Sequence, residues 1–517
     1  MGFYDAIKNE LNNETKLTEN GAVGYRTSGK KLLDLNFAVA SLRRASETEI
    51  INKFMDAYFE DKVTALKWLF YARDVREGLG ERRLFRVVMK EFTTQEPKVV
   101  KELISLVGEY GRYDDLWCLL DTDLKDDVIS VVYNQLGKDH LNMMKDKSIS
   151  LCAKWLPSEN ASSQKTKKYA TIIRKGLAMS SKSYRTILSA MRKYIDVVEC
   201  KMSAKEWGAI NYETVPSRAN LIYNNAFLRN DEERRRAYLG ALEKGEAKIN
   251  AGTLFPHDIV HKYGRCSSVD ATLEGLWKSL PDTVKGCGNT IVVADGSGSM
   301  TCNVGGNTKV TALDVANSLA IYFAERSSGE FKDKYITFSE RPQLVDFSNA
   351  KNLRDKLMIA KRHNEVANTN IEAVFDLILS TAIKNNMTQE DIPANILIVS
   401  DMEFDSCTTS GEVYSRNSWG WYSSSRNRPT ITLFDTIAKK YEAHGYKLPK
   451  LIFWNVNSRT GTIPVKENDL GVALVSGFSV NIVNMVMSNK LDPYECLLDV
   501  LNTERYQPIE DAVKGII

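Results

Sequence analysis

The sequence predicts a multidomain α + α/β protein, with an α-helical repeat array first and a doubly wound parallel sheet after it. Three observations carry this. From Lys31 to about Val260 the apolar residues recur at helical spacing, as in Phe54, Tyr58 and Phe59, or Leu84, Phe85 and Val88. Near Pro281 the pattern changes to short β-branched runs alternating with helical stretches. At 517 residues the chain is also too long for a single core.

Residues 1–30 are polar, rich in Asn, Thr and Gly, and read as a loose N-terminal arm. Residues 31–280 read as the helical array. Its segments of roughly 12–18 residues are separated by short breaks such as Glu77-Gly78-Leu79-Gly80, Gly111-Arg112-Tyr113-Asp114-Asp115 and Leu156-Pro157-Ser158. Stacked helix pairs are the expected packing, although no fixed repeat period is present.

Residues 286–490 read as the α/β domain. Thr290-Ile291-Val292-Val293-Ala294 is a buried strand ending in Asp295. A helix at about Thr311–Arg326 follows, then strands at Tyr335–Phe338 and near Leu344–Phe347. A helix at Ile371–Lys384, a strand at Ala394–Ser400, a helix near Leu433–His444 and strands at Lys450–Val456 and Gly471–Val475 complete it. Residues 491–517 read as a helical tail expected to pack back on the helical domain.

Composition narrows the function classes. No run of 18 or more apolar residues exists, so no membrane-spanning helix is expected. The eight cysteines are scattered with no CxxC pair, which points to reduced thiols in a cytoplasmic setting rather than a disulfide framework or zinc cluster. His257 and His261 lie at i, i+4 but lack the Glu of an HExxH zinc site. Charge is uneven: residues 1–285 hold 46 Lys and Arg against 39 Asp and Glu, a net of +7, and the remainder is net −4. The sharpest feature is 160–195, with Lys165, Lys167, Lys168, Arg174, Lys175, Lys182, Arg185, Arg192 and Lys193 and no acidic residue. A polyanion would gain counterion-release affinity on such a stretch, and a solvated helix surface is the competing reading.

Asp295-Gly296-Ser297-Gly298-Ser299 follows the first buried strand directly. A strand-end loop turns Asp295, Ser297 and Ser299 toward one point, where ligand sites of doubly wound sheets lie. One carboxylate and two hydroxyls make a hard, oxygen-only donor set that suits Mg²⁺ or Mn²⁺ rather than zinc. Thr369, at the start of a helix, supplies a third hydroxyl, and Asp401, ending the next buried strand, a second carboxylate. A cluster of capping residues on a strand-to-helix turn is the alternative. In order and spacing the five residues resemble the metal-ion-dependent adhesion site of the von Willebrand A family. That resemblance implies a metal whose coordination is completed by an acidic group of a partner.

The helical half adds Tyr71-Ala72-Arg73-Asp74-Val75-Arg76-Glu77-Gly78-Leu79-Gly80-Glu81-Arg82, Gly111-Arg112-Tyr113-Asp114-Asp115-Leu116-Trp117, Trp207-Gly208-Ala209-Ile210-Asn211-Tyr212-Glu213 and Val215-Pro216-Ser217-Arg218-Ala219. With Val399-Ser400-Asp401-Met402-Glu403-Phe404-Asp405 and Leu451-Ile452-Phe453-Trp454-Asn455, these resemble an uncharacterised family of plants, fungi and viruses. More loosely they resemble the TROVE-module proteins of the Ro ribonucleoprotein class, in which a HEAT-like helical ring is closed by a von Willebrand A domain. The Ro resemblance implies binding of single-stranded RNA ends or small structured RNA.

Other candidates resolve to structure. Arg73, Asp74, Arg76, Glu77 and Arg82 read as an ion-pair network between helices, with Arg73 and Arg76 as alternative lumen residues. Arg112, Asp114 and Asp115 read as a capped helix start. No G-x-S-x-G context or P-loop occurs, so no enzyme is expected. An insertion at 407–430 interleaves Tyr414, Trp419, Trp421 and Tyr422 with Arg416, Arg426 and Arg428, which suits bases, a protein interface or a floppy surface loop. The resulting expectation is an RNA-binding, non-enzymatic protein with a Mg²⁺ site, and a metal-dependent protein-interaction adaptor is the alternative.

Overall fold

The computed structural model describes residues 15–284, 289–305, 309–365, 367–405, 433–459, 461–464, 472–480 and 492–517. The aromatic and arginine insertion at 407–430 lies outside the described residues. Contacts divide the chain into two units. One comprises 1–45, 255–269 and 282–500, and the other 46–254, 270–281 and 501–517.

The first unit is built on a six-stranded sheet. Its strands are β3 (Thr290–Asp295), β4 (Lys334–Phe338), β5 (Gln343–Asp346), β6 (Asn395–Ser400), β7 (Lys450–Asn455) and β8 (Val472–Ser476). They lie in the order β5-β4-β3-β6-β7-β8. The sheet is mixed rather than wholly parallel, because β5 returns antiparallel to β4 through a short connection too brief for a crossover helix. Every residue of β3 is buried, as its continuous apolar run requires of a central strand with both faces covered. The register sets Ala294 opposite Val399, and Ser400 opposite Asn455. Asp295 and Asp401 therefore emerge at the same edge of the sheet.

The helix Ala312–Arg326 covers β3. It starts on a reciprocal cap, in which Asp314 N donates to Thr311 Oγ1 and Thr311 N to Asp314 Oδ2, each at 3.1 Å. The helix Lys31–Leu42 also belongs to this unit, not to the helical array. Nine of its twelve residues are buried, Leu32, Leu33 and Leu35 to Ala40 among them, so it lacks the one-sided stripe of a surface helix. It is tied to the sheet where Asn455 Nδ2 donates to Phe37 O at 2.9 Å and Ala40 N to Ser476 Oγ at 3.0 Å. The segment 255–269 joins it, with His261 Nδ1 at 3.2 Å from Asp314 Oδ2. His257 instead stacks on Phe255, so the two histidines do not converge on one point.

The expected loose arm is not loose over its described part. Strands β1 (Thr15–Leu17) and β2 (Val23–Tyr25) form an antiparallel hairpin. Tyr25 exchanges backbone hydrogen bonds with Ile463 at 2.7 and 2.9 Å. The polar residues of the hairpin turn are consumed as donors: Thr18 Oγ1 donates to Phe404 O at 2.6 Å.

The second unit is helical throughout its described residues, with consecutive helices packed on one another, as in Glu47–Glu60, Lys62–Arg73 and Arg83–Gln95. Phe54, Tyr58, Trp68 and Phe92 form an aromatic core at its N-terminal side. Gly78 is required there, because a Cβ would lie 2.0 Å from Tyr71 O. Farther along, Arg235 is fully buried among Tyr212, Phe227 and Tyr238, hydrogen-bonded to Asn220 and Asn224. The tail is divided: Pro493 to Val500 stays with the sheet, and 501–517 joins the helical unit. There Arg505 and Tyr506 meet the buried carboxylate of Asp74, with Arg505 Nη2 and Tyr506 Oη donating at 3.0 and 3.2 Å, and Glu510 pairs with Lys67.

Candidate functional site

Asp295, Ser297, Ser299 and Asp401 come together at the C-terminal edge of the sheet, and the loop that carries Thr369 reaches them where Gly298 N donates to Ala367 O at 3.1 Å. Asp295 is buried, and both its oxygens are held: Oδ1 accepts from Ser297 N at 2.9 Å and Oδ2 from Ser400 Oγ at 2.6 Å. The Ser297 and Ser299 hydroxyls lie 3.0 Å apart. Gly296 lets this loop run against β4, since a Cβ would sit 2.9 Å from Thr337 Oγ1 and 3.3 Å from Asn364 Oδ1. Thr369 is buried and clamped by Asp405, whose Oδ2 accepts from Thr369 N and whose N donates to Thr369 O.

Asp401 completes the set. Its Oδ1 accepts from Glu403 N at 3.3 Å, whereas Oδ2 is buried without a hydrogen-bond partner among the described residues. The Arg459 guanidinium lies 3.6 Å from Oδ2. Burial and then the neighbouring Asp295 carboxylate push the Asp401 carboxyl up to about 7, with the Ser299 hydroxyl opposing. Asp295 is raised as well, chiefly by burial. The next residue, Met402, holds φ at +62° and is buried, a conformation costly for a residue with a Cβ and tolerated where surroundings fix it.

A buried carboxylate oxygen with no donor is expensive unless a cation serves it. Two carboxylates and three hydroxyls match the donor chemistry of a hard divalent cation. Among the described residues no three or more His, Cys, Asp or Glu side chains gather as a metal-holding group. The residues present fit Mg²⁺ or Mn²⁺.

Sequence reasoning missed four neighbours. Asn20, at the hairpin turn, donates from Nδ2 to Thr369 Oγ1 at 3.1 Å and to Glu403 O at 2.6 Å. Glu19 pairs with Arg459 at 2.6 Å. Glu403 is buried, and its carboxylate accepts from Glu19 N and Arg459 N, both at 2.8 Å. Arg459 follows β7, so the rule that strand-end loops form the site would have found it. Nothing in the local pattern at Asn20 signals a contact 349 residues away.

The acid-free segment occupies the helices Gln164–Gly176 and Ser181–Tyr194. Three of its nine cations are met by acids and carbonyls outside the segment, and of these Lys168 stays exposed. Arg174 pairs with Glu159 at 2.7 Å, and Lys168 with Asp121 at 2.6 Å. Arg192 donates to Ala153 O, Ser158 Oγ and Leu156 O at 2.6–3.0 Å. Lys167 is half-buried, and Lys165, Lys175, Lys182, Arg185 and Lys193 remain exposed.

Residues 289–509 match a family model described as a domain of unknown function, DUF7788. Residues 18–108 and 124–289 match a second, DUF2828, also a domain of unknown function. An uncharacterized protein of Acanthamoeba polyphaga mimivirus, L728, is 29% identical over 532 positions, spanning 95% of this chain and 88% of the relative. No helix among the described residues is long and apolar enough to cross a membrane.

Proposed function

We propose that the sheet unit is a von Willebrand A-type domain that holds one Mg²⁺ or Mn²⁺ on Asp295, Ser297, Ser299, Thr369 and Asp401. In this reading the metal receives an acidic group of a protein partner and does no chemistry of its own. The carrying observation is Asp401 Oδ2, buried beside a second carboxylate and without a hydrogen-bond donor among the described residues. The metal would offset the charge of the two carboxylates, and an open coordination position would leave room for an incoming carboxylate. Isothermal calorimetry of the full chain with Mg²⁺ and Mn²⁺ tests the site. One metal per chain, lost in Asp295→Ala, is expected, and no heat for either metal would end the reading.

A second reading, RNA binding by the helical unit as in the Ro class, rests on the exposed Lys165, Lys175, Lys182, Arg185 and Lys193. Five phosphate contacts to a single strand give a salt slope of about −3.5 in log K against log salt. A uridine oligomer titrated across a salt series should show it, and each Lys→Ala change should flatten the slope by about 0.7. Binding that is indifferent to these substitutions would refute this reading. Cytoplasmic placement belongs to the same proposal.

A further inference from the structure

In the helical unit one cluster holds more positive charge than its partners neutralise. Three guanidiniums, from Arg73, Arg86 and Arg112, share the carboxylates of Asp114 and Asp115, and that of Arg82 lies within their field. Asp115 is taken by Arg73 Nε at 2.8 Å and by Arg86 Nε at 2.7 Å. Asp114 is taken by Arg112 Nε at 2.7 Å and by Arg86 Nη2 at 3.2 Å. The Arg112 guanidinium is also held flat over the Trp155 ring, 3.8 Å from its centroid. Arg82 is left over: its side chain is exposed and makes no hydrogen bond or ion pair among the described residues. The flanking Glu81 and Arg83 are each engaged in contacts and add no net charge.

A helix end adds to this field. Arg82 is the N-cap of Arg83–Gln95, a helix of 13 residues with no side-chain cap and no acidic residue in its first turn. The positive end of that helix therefore carries none of the acidic or capping groups that usually occupy it. Arg86 lies one turn beyond Arg82, on the same helix face. Crowding shows on Arg82 itself. Desolvation by the cluster walls, then the charges of Arg112, Arg73 and Arg86, push its guanidinium down to about 10, with Asp114 opposing.

We propose that this cluster is a binding site for a phosphate group, anchored by Arg82 and closed by Arg86 and Arg112. Four guanidiniums against two carboxylates leave a surplus of two positive charges, which a phosphate dianion cancels and a single carboxylate only halves. The planar forks of the arginines match the geometry of phosphate oxygens, and an uncapped helix N-terminus adds backbone N–H donors. Fixed by Trp155, Asp114 and Asp115, Arg86 and Arg112 are pre-organised, so ordering costs fall mainly on Arg82. The site requires neither the metal reading nor the RNA reading.

The test is titration of the full chain with inorganic phosphate, followed by thermal shift against chloride at matched ionic strength. Phosphate is expected to stabilise the wild type, and Arg82→Ala to weaken its binding about tenfold, the value of one charge-assisted contact. Arg82→Glu supplies the missing negative charge in cis. It should abolish phosphate binding while melting no lower than wild type, which separates loss of the site from loss of the fold. Phosphate acting no differently from chloride, or equal phosphate affinity in wild type and Arg82→Ala, overturns the proposal. Competition by a uridine oligomer with and without a 5′-phosphate then assigns the source. Displacement by both forms marks a backbone phosphodiester, and displacement by the 5′-phosphorylated form alone marks a terminal phosphate.

Discussion

Replacing Asp401 with Asn should make the metal-free protein more stable and the metal-saturated protein less so. Without a cation, the folded chain holds Asp401 next to Asp295 in a buried setting, which raises its carboxyl from the ordinary 3.8 to about 7. A carboxyl whose folded value is raised favours the protonated form. Stability is therefore intact below about pH 4, falls as pH rises from about 4 to about 7, and is level above that. A shift of about three units corresponds to roughly 4 kcal/mol as a ceiling, at about 1.4 kcal/mol per unit. Sharing of charge within the Asp295–Asp401 pair brings the expected loss to about 2 kcal/mol. Asp401→Asn removes that loss, because the amide does not ionise. Saturating Mg²⁺ reverses the order, since ligand at a hundredfold its Kd stabilises by about 2.7 kcal/mol and the Asn variant binds it poorly. Calorimetric melting of both proteins at about pH 5 and about pH 8, in EDTA and in excess Mg²⁺, reads the crossing at about 2–4 °C per kcal/mol. A variant that melts below wild type in EDTA at the higher pH, together with equal stabilisation of both by Mg²⁺, would refute the reasoning.

Three further outcomes are expected. Arg192→Ala should cost about 2–3 kcal/mol in urea unfolding, because it strands Ala153 O and Leu156 O beneath the helix, whereas Lys193→Ala should stay within about 0.5 kcal/mol. Gly78→Ala should destabilise by roughly 3 kcal/mol or more, since the new Cβ meets a backbone oxygen that cannot move aside, and the melting temperature reads it directly. Asn20→Ala removes two hydrogen bonds from the hairpin turn; faster amide exchange across Thr15–Tyr25, with a global loss of about 1 kcal/mol, is the expected signature.

The strands that carry the candidate site were legible because each obeys one rule. β3 and β6 are apolar runs that stop at an acid, and their parallel register brings Asp295 and Asp401 to one edge. The antiparallel β5 was not legible as such: four residues after a short connection look the same in either direction. The helix Lys31–Leu42 was assigned to the wrong unit because its period is helical, and period alone does not tell which core a helix fills. The basic segment misled in part for a similar reason. Absence of acids within 160–195 says nothing about Glu159, just outside it, or Asp121, which fold brings into contact. Arg82 was read as one member of a mixed-sign network, and only the geometry leaves it without a partner.

Asp74 and the arginine that serves it are 431 residues apart. At roughly 5–20 residues per second, a ribosome takes about 20–90 s to travel between them. Throughout that interval the Asp74 carboxylate is served only locally, by Arg76 N at 2.9 Å, and Lys67 waits for Glu510. The unit encoded early in the chain is therefore among the last to be completed. A chain cut short before Arg505 leaves Asp74 without its ion pair.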